Sequence, residues 1–479
     1  MNDLIIGGYG FLGNRGKAYL FLGDSCRPGL LESWSAEGSS TNDYFGTHVN
    51  TAGDVNNDGY DDIIVGASGV NSSKGKVYLF QGSQNGPPAN ETWSFDGEAS
   101  MSFLSACSYA GDVNNDGFDD IMVGSPGYGG FRGKVYLFKG SSNGPATIPS
   151  WTATGESPGN YFGHCVSEAG DVNGDGYDDV LVSTDGYNGN MSKAYVYHGG
   201  PQGLSQNPDW TGSDNIQGSV YGYSSSIAGD VNGDGFDDII IGALGYSASM
   251  GKVYLYLGSP SGLSLQPAWS KEGEQAGDEF GYSVNSAGDL NGDGKSEVII
   301  GADGYQTQTG KVYIFSGQPS GLSNLPAWIK SGTDIFERYG SSVAFIGDTD
   351  GDGADEIGIG AYRFAGYRGK AELISGREIV VSVQSPFSNI PASVVLHQNY
   401  PNPFNPSTRI SFELSKGSNI RIDVFDIAGK IVGNIAEGFF NAGIHNADFI
   451  ATELPGGVYF CRLNRDGKFD SVIKMILLK

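Results

Sequence analysis

The chain has 479 residues, 77 of them glycine, and sets 54 acidic against 28 basic side chains for a formal charge of -26. Its 26 Tyr, 25 Phe and 6 Trp exclude a disordered chain, which is poor in aromatics, and glycines without a three-residue period exclude collagen. Such acidity excludes binding along a nucleic-acid backbone, where each phosphate contact needs a cation, and points to cations or a cationic partner.

The elements recur along the chain. The tryptophans stand at 34, 93, 151, 210, 269 and 328, spaced 59, 58, 59, 59 and 59 apart. Lysines at 17, 76, 134, 193, 252, 311 and 370 keep the same spacing and mark seven units. The first unit is incomplete: residues 2–7 align with 61–66, which places its expected start upstream of Met1, and no basic-then-apolar leader opens the chain. Within one complete unit the pattern predicts four strands, at 283–287, 297–302, 311–315 and around Trp328, joined by Gly, Asn, Asp and Ser turns. Four antiparallel strands cannot cover both faces of their own sheet. Radial stacking into an all-β, seven-bladed β-propeller solves this; a linear solenoid, whose coils are usually shorter, is the alternative.

Between the first and second strands of each complete unit lies Asp-x-Asn-x-Asp-Gly-x-x-Asp. The side chains are Asp54, Asn56, Asp58, Asp62; Asp112, Asn114, Asp116, Asp120; Asp171, Asn173, Asp175, Asp179; and Asp230, Asn232, Asp234, Asp238. The fifth loop has Asp289, Asn291, Asp293, Glu297 and the sixth Asp348, Asp350, Asp352, Glu356. Oxygen donors at positions 1, 3, 5 and 9, with glycine at 6, resemble the start of an EF-hand calcium loop, and the carbonyl at position 7 (Tyr60, Phe118, Tyr177, Phe236, Lys295, Ala354) would complete the shell. All-oxygen ligation favours calcium over zinc or copper, and magnesium prefers to keep its waters. A strand follows each loop, against the helix that an EF-hand or dockerin requires. Solvated Asx turns are the plain alternative, and six converging copies argue against it because uncompensated carboxylates repel. Six calcium ions would balance nearly half of the excess charge.

Phe45-Gly46, Phe162-Gly163 and Phe280-Gly281, the acidic loops, and the Gly-Ala pairs 66–67 and 301–302 together resemble FG-GAP repeats, the units of the propeller heading integrin α subunits and many bacterial surface proteins. The resemblance covers residues 1–376. It implies calcium in each acidic loop on one face of the disc, a ligand on the opposite face, and a secreted or cell-surface adhesion protein whose partner is an extracellular protein or glycan. Phe103-Leu104-Ser105 and Ser183-Thr184 depart from the pattern at packing positions.

The period stops at Gly376, and 377–396 reads as an irregular linker. The run Asn-Tyr-Pro-Asn-Pro-Phe-Asn-Pro-Ser-Thr at 399–408 then enters strands predicted at 410–414, 420–424, 458–463 and 469–477, a small Ig-like β-sandwich. Residues 397–479 closely resemble the type A C-terminal sorting domain of type IX secretion substrates. That resemblance implies partnership with this export machinery, passage across the outer membrane, then removal or surface attachment, with an N-terminal export signal.

Cys26, Cys107, Cys165 and Cys461 form neither a disulfide framework nor a zinc site, and apolar runs such as 239–241 fall far below the ~20 residues of a transmembrane helix. His48, His164, His198, His397 and His445 share no motif, and no nucleophile elbow, zincin or P-loop pattern occurs, so the chain reads as non-catalytic. The alternative is the binding portion of a polysaccharide-degrading enzyme with its catalytic part upstream of Met1. One further set, Phe11, Tyr128, Tyr187, Tyr246, Tyr305 and Phe364 with Val70, follows the second strands and either packs between units or stacks on a ligand. The loops at 71–74 and 247–250 vary among repeats, so no ligand can be named from them.

Overall fold

The computed structural model describes residues 2–23, 31–186, 191–383, 395–396, 399, 401–414, 418–427, 429–440, 443–452, 454–465 and 468–478. Cys26, Tyr187, His397 and Tyr400 lie outside them. The chain divides into two compact units, Met1–Val381 and Ser382–Lys479.

The first unit is a series of antiparallel sheets, each with its strands in chain order. Five have four strands, as in Phe280–Gly288, Glu297–Ala302, Lys311–Phe315 and Trp328–Ser331. The first sheet (Leu4–Gly8, Lys17–Leu22, Leu31–Glu37) and the seventh (Tyr339–Gly347, Glu356–Ala361, Lys370–Ser375) have three among the described residues. Second and third strands are the apolar ones, and residues such as Ile64, Val65, Ile240 and Ile300 are fully buried.

That burial is achieved only between sheets. One core cluster combines Ile240, Val253 and Leu255 of the fifth sheet with Phe280, Val298 and Phe315 of the sixth. The repeated tryptophans make the same crossing. The indole N–H of Trp34 donates to the Pro88 carbonyl at 3.0 Å, Trp93 to Ala146 at 3.1 Å, Trp151 to Ser205 at 2.9 Å and Trp210 to Ser264 at 3.0 Å, each acceptor in the following unit. The rings also meet the next sheet edge-on, as Trp34 meets Phe80 and Trp151 meets Tyr197, both at 4.9 Å between centroids.

Glycines of the second strands allow this closeness. A Cβ on Gly66, Gly242 or Gly301 would collide with the carbonyl oxygen of Ser105, Gly281 or Gly340 in the next sheet. Where the fourth sheet has Ser183 instead, its hydroxyl donates to the Gly222 carbonyl. At the other departure Leu104, not Phe103, fills the buried phenylalanine position. The single 58-residue spacing has its cause here too. First strands bulge just after the Phe-Gly pair, between Phe45 and His48, Tyr221 and Ser224, Phe280 and Ser283, and Tyr339 and Ser342. The strand Ala106–Gly111 has no such shift, so this repeat lacks the bulged residue.

In the sheets that have an acidic loop, that loop opens the second strand and the turn to the third strand lies at its other end, so the two features occupy opposite ends of the sheet. The hairpins carry non-glycine residues in left-handed conformation, Asn71 and Ser72 at φ 53° and 62°, Ser247 and Ala248 at 48° and 59°. Such geometry costs about 1 kcal/mol or more per residue. After the seventh sheet the structure has a helix, Gly376–Val383, where the sequence suggests irregular chain.

The second unit has a three-stranded sheet (Val395–Leu396, Ser407–Leu414, Gly443–Ile450) and a four-stranded one (Ile431–Phe440, Ser418–Phe425, Gly457–Arg465, Lys468–Leu477). One core takes Ile410, Phe412 and Leu414 from the first and Ile422, Val424, Cys461, Leu463 and Met475 from the second. Ile431–Phe440 and Gly443–Ile450 escape the sequence reading, the former because Gly433, Gly438 and two bulges interrupt its alternation. The proline-rich entry segment covers an edge: Phe404 N–H donates to Ile476 O and Leu478 N–H to Phe404 O, both at 2.9 Å.

The crossing bonds predict that Trp151→Phe, which keeps a ring but strands the Ser205 carbonyl, lowers stability by about 1–2 kcal/mol in urea unfolding. An unchanged midpoint would remove the indole bond from the account.

Candidate metal centres

The acidic loops fold by satisfying their own amides. In the first, Asp54 Oδ1 accepts from Asp58 N at 3.0 Å and Oδ2 from Gly59 N at 2.7 Å, Asn56 Oδ1 accepts from Asp58 N at 3.0 Å, and Asp58 Oδ1 from Tyr60 N at 3.1 Å. The Asp112, Asp171, Asp230 and Asp348 loops repeat the Asp-to-glycine amide bond at 2.7, 2.8, 2.7 and 3.0 Å. The sharp turn needs glycine at position 6, where Gly59, Gly117, Gly176, Gly235, Gly294 and Gly353 have φ of 83° to 90°. In the fifth loop Asn291 turns its amide to Glu297 Oε1 at 2.7 Å.

The ninth position opens the buried second strand. Asp62, Asp120, Asp179, Asp238, Glu297 and Glu356 are all 4% exposed or less. Their oxygens meet backbone donors: Asp62 Oδ1 accepts from Gly82 N at 2.7 Å and Oδ2 from Val55 N at 3.3 Å. Yet Asp120 Oδ2, Glu297 Oε2 and Glu356 Oε1 are buried with no hydrogen-bond partner. Burial, reinforced by the neighbouring loop carboxylates, pushes Asp62, Asp120, Asp238 and Glu297 up to about 7 and Asp179 up to about 8. In the sixth loop, carboxylate oxygens of Asp348, Asp350 and Glu356 lie within 4.8 Å of one another, close enough for one cation. In this sixth loop an orphaned buried oxygen lies among converging oxygen donors, which is what a hard cation satisfies. Two loops also carry their own cation: Arg377 Nε sits 2.9 Å from Asp352 Oδ2, and Lys295 Nζ 3.7 Å from Asp293 Oδ1.

Of the position-7 residues, Tyr60, Phe118, Tyr177, Phe236, Lys295 and Ala354 each donate their N–H to the position-5 aspartate, at 2.9 to 3.2 Å. Sequence reasoning missed position 8. Asp119 Oδ2 accepts from Asp54 N at 2.7 Å, Asp178 Oδ2 from Asp112 N at 2.8 Å and Asp237 Oδ2 from Asp171 N at 3.0 Å, so each carboxylate grips the loop of the preceding unit. The repeated Asp-Asp doublet was the available signal. At the last junction Asn2 N–H donates to Asp348 O at 2.8 Å, as Asp119 N–H does to Asp54 O at 3.3 Å.

The periodic aromatics pack instead of standing free. Phe11, Tyr128, Tyr246, Tyr305 and Phe364 lie under the repeated lysines Lys17, Lys134, Lys252, Lys311 and Lys370, at 4.4 to 5.5 Å from ring centroid to Nζ. Some of these lysines bridge units, Lys134 reaching Glu98 and Lys311 reaching Glu274, both at 2.6 Å. Val70 packs on a cluster of the first two sheets that includes Ala18, Leu20, Phe45 and Val65. Burial lowers His164 to about 4, and His445 packs between Phe412 and Phe440.

The family comparisons match these features. The FG-GAP repeat matches residues 280–315, the FG-GAP-like repeat matches 54–123, 112–182 and 171–241, and the secretion system C-terminal sorting domain matches 398–478. Among curated proteins, Xenopus laevis integrin alpha-5 is 27% identical over 257 residues, covering 50% of this chain and 23% of its own length. Drosophila melanogaster integrin alpha-PS2 is 27% identical over 286 residues, with coverages of 54% and 19%. Gallus gallus integrin alpha-V is 33% identical over 168 residues, with coverages of 33% and 16%. The chain thus spans a quarter or less of these integrins. It carries integrin-α-like FG-GAP repeats followed by a secretion-system C-terminal sorting domain.

The raised carboxyls give a pH signature with a definite sign. Acids held at about 7 to 8 when folded bind more protons folded than unfolded from about pH 4 upward, so the metal-free fold loses stability as pH rises. In EDTA the melting temperature is expected to fall between about pH 5 and about pH 8, and calcium should flatten the trend. A metal-free protein more stable at the alkaline end would contradict this.

Proposed function

We propose that residues 1–376 form a calcium-stabilised, seven-bladed β-propeller acting as a non-catalytic adhesion module, and that residues 397–479 form an Ig-like sandwich that addresses it to the type IX export machinery. The protein is then secreted or held on the outer-membrane surface. The observation that carries this reading is the joining of metal-loop repeats, of the kind that open integrin α subunits, to a sorting domain in one chain. Closure of the repeats into a ring is supported by the Asn2–Asp348 bond, which repeats at the last junction the contact linking consecutive units. Calcium is supported by the orphaned oxygens of Asp120, Glu297 and Glu356. In each loop the side chains at positions 1, 3, 5 and 9 and the carbonyl at position 7 would hold it. Bound there, the cation neutralises the converging carboxylates and fixes the blade junctions.

The ligand, an extracellular protein or glycan, is assigned to the hairpin ends of the sheets. They lie away from the metal loops, vary in sequence and hold strained left-handed residues, a feature that concentrates at functional sites.

Calcium at a hundred times its Kd stabilises by about 2.7 kcal/mol per site. EDTA is therefore expected to lower the melting temperature by many degrees, with calcium restoring it; coincident curves would refute calcium binding. Deleting 397–479 in a bacterium that has this secretion system should leave the repeats inside the outer membrane. Protease digestion of intact cells reads this, and surface exposure of the truncated protein would refute the sorting assignment.

A further inference from the structure

The metal loops are not separate sites joined only by a scaffold. Residue 8 of one loop holds residue 1 of the loop before it. Asp119, Asp178 and Asp237 each place Oδ2 2.7 to 3.0 Å from the backbone N–H of Asp54, Asp112 and Asp171. The glycine preceding that N–H makes room for the bond: a Cβ on Gly53, Gly111 or Gly170 would strike the Asp119, Asp178 or Asp237 carboxylate. The grip is therefore built into both partners, at three consecutive junctions.

The gripping residue is flanked by two donors of its own loop. Asp119 stands between Phe118, whose carbonyl is at position 7, and Asp120; Asp178 and Asp237 stand likewise. A cation in the later loop pulls on both flanking residues, and so fixes the carboxylate that positions residue 1 of the earlier loop. The carboxylate also lies within electrostatic reach of both loops, Asp119 feeling Asp54 and Asp112, and Asp178 feeling Asp112 and Asp171. A cation on either side relieves the repulsion on the shared group.

The series has an end. The fifth loop's unit has Ser296 in place of the aspartate, leaving only the backbone bond from Ser296 N to Asp230 O at 2.9 Å. The Asp289 loop therefore exerts no carboxylate grip on the Asp230 loop.

We propose that Asp119, Asp178 and Asp237 are positioning residues that couple the loops beginning at Asp54, Asp112, Asp171 and Asp230 into one cooperative calcium-binding series, interrupted at Ser296. This rests on the calcium reading above. Occupation runs along the series because each bound loop preorders its predecessor, and groups that orient ligands in this way are typically worth roughly ten- to a hundredfold in metal affinity.

The test is calcium titration of the full chain by calorimetry after removal of bound metal. The wild type is expected to saturate with a Hill coefficient above unity. The Asp119→Ser, Asp178→Ser, Asp237→Ser triple variant should keep the stoichiometry, fall to a Hill coefficient of unity and bind roughly tenfold more weakly. Ser296→Asp should steepen the wild-type curve. Far-UV circular dichroism checks that the triple variant folds; should it not, Asp178→Ser alone is titrated, with a smaller loss of steepness expected. A wild type that binds calcium with simple hyperbolic saturation, or variants indistinguishable from it, would overturn the coupling and leave the calcium reading standing. A wild type that takes up no calcium would overturn both.

Discussion

A sheet whose second and third strands are mostly apolar has two faces to hide, and no sheet in the repeat region hides either one alone. Most of the repeated features serve that constraint. The tryptophan indoles donate to carbonyls of the next unit, the lysines at 134 and 311 reach glutamates of the unit before, and second-strand glycines accept a neighbouring backbone against them. Contacts of about 0.5–1.5 kcal/mol apiece become decisive when they recur at every junction, because a lost one is lost together with the apolar surface it seals.

The same stacking drives charge into the junctions. Position 9 of each loop is both a carboxylate and the first residue of a buried strand, so packing the strand buries the acid. Backbone donors such as Gly82 and Val55 offset part of the cost for Asp62, and the shift toward neutral pH measures what they leave uncompensated. A packed apolar junction and a buried carboxylate are thus two results of one strand register. The last two loops differ: the fifth and sixth use glutamate, and Lys295 and Arg377 bring a positive charge of their own.

Much of this was legible in the residues. Spacing of tryptophan and lysine gave the units, and in the 280–336 repeat the strands at 297–302 and 311–315 fall where alternation and apolar runs put them. The acidic loops were equally plain, since their pattern lies within nine residues of one stretch of chain. What escaped depends on partners about sixty residues away. Asp119 and Asp178 look like mere first members of an acidic doublet until Asp54 and Asp112 are brought against them. The role of the periodic aromatics was ambiguous for a local reason, since it takes the folded hairpin to set Lys134 over Tyr128 and Lys311 over Tyr305. The strand Ile431–Phe440 escaped for a local reason, its alternation being broken by glycines and bulges.

The two parts of the chain bury their apolar surface by opposite strategies. Every repeat needs a neighbour, whereas the C-terminal unit closes a core of its own residues, from Leu396 through Phe404, Phe412 and Val424 to Leu477. Its proline-rich entry segment also pairs with the last strand through Phe404, so that edge is not left open. Such a unit needs no apolar contribution from the repeats to close its core. The reverse does not hold inside the repeats, where removing one unit would expose the faces of two others. Self-sufficiency therefore belongs to the C-terminal unit by construction, and strand-by-strand interdependence to the repeats.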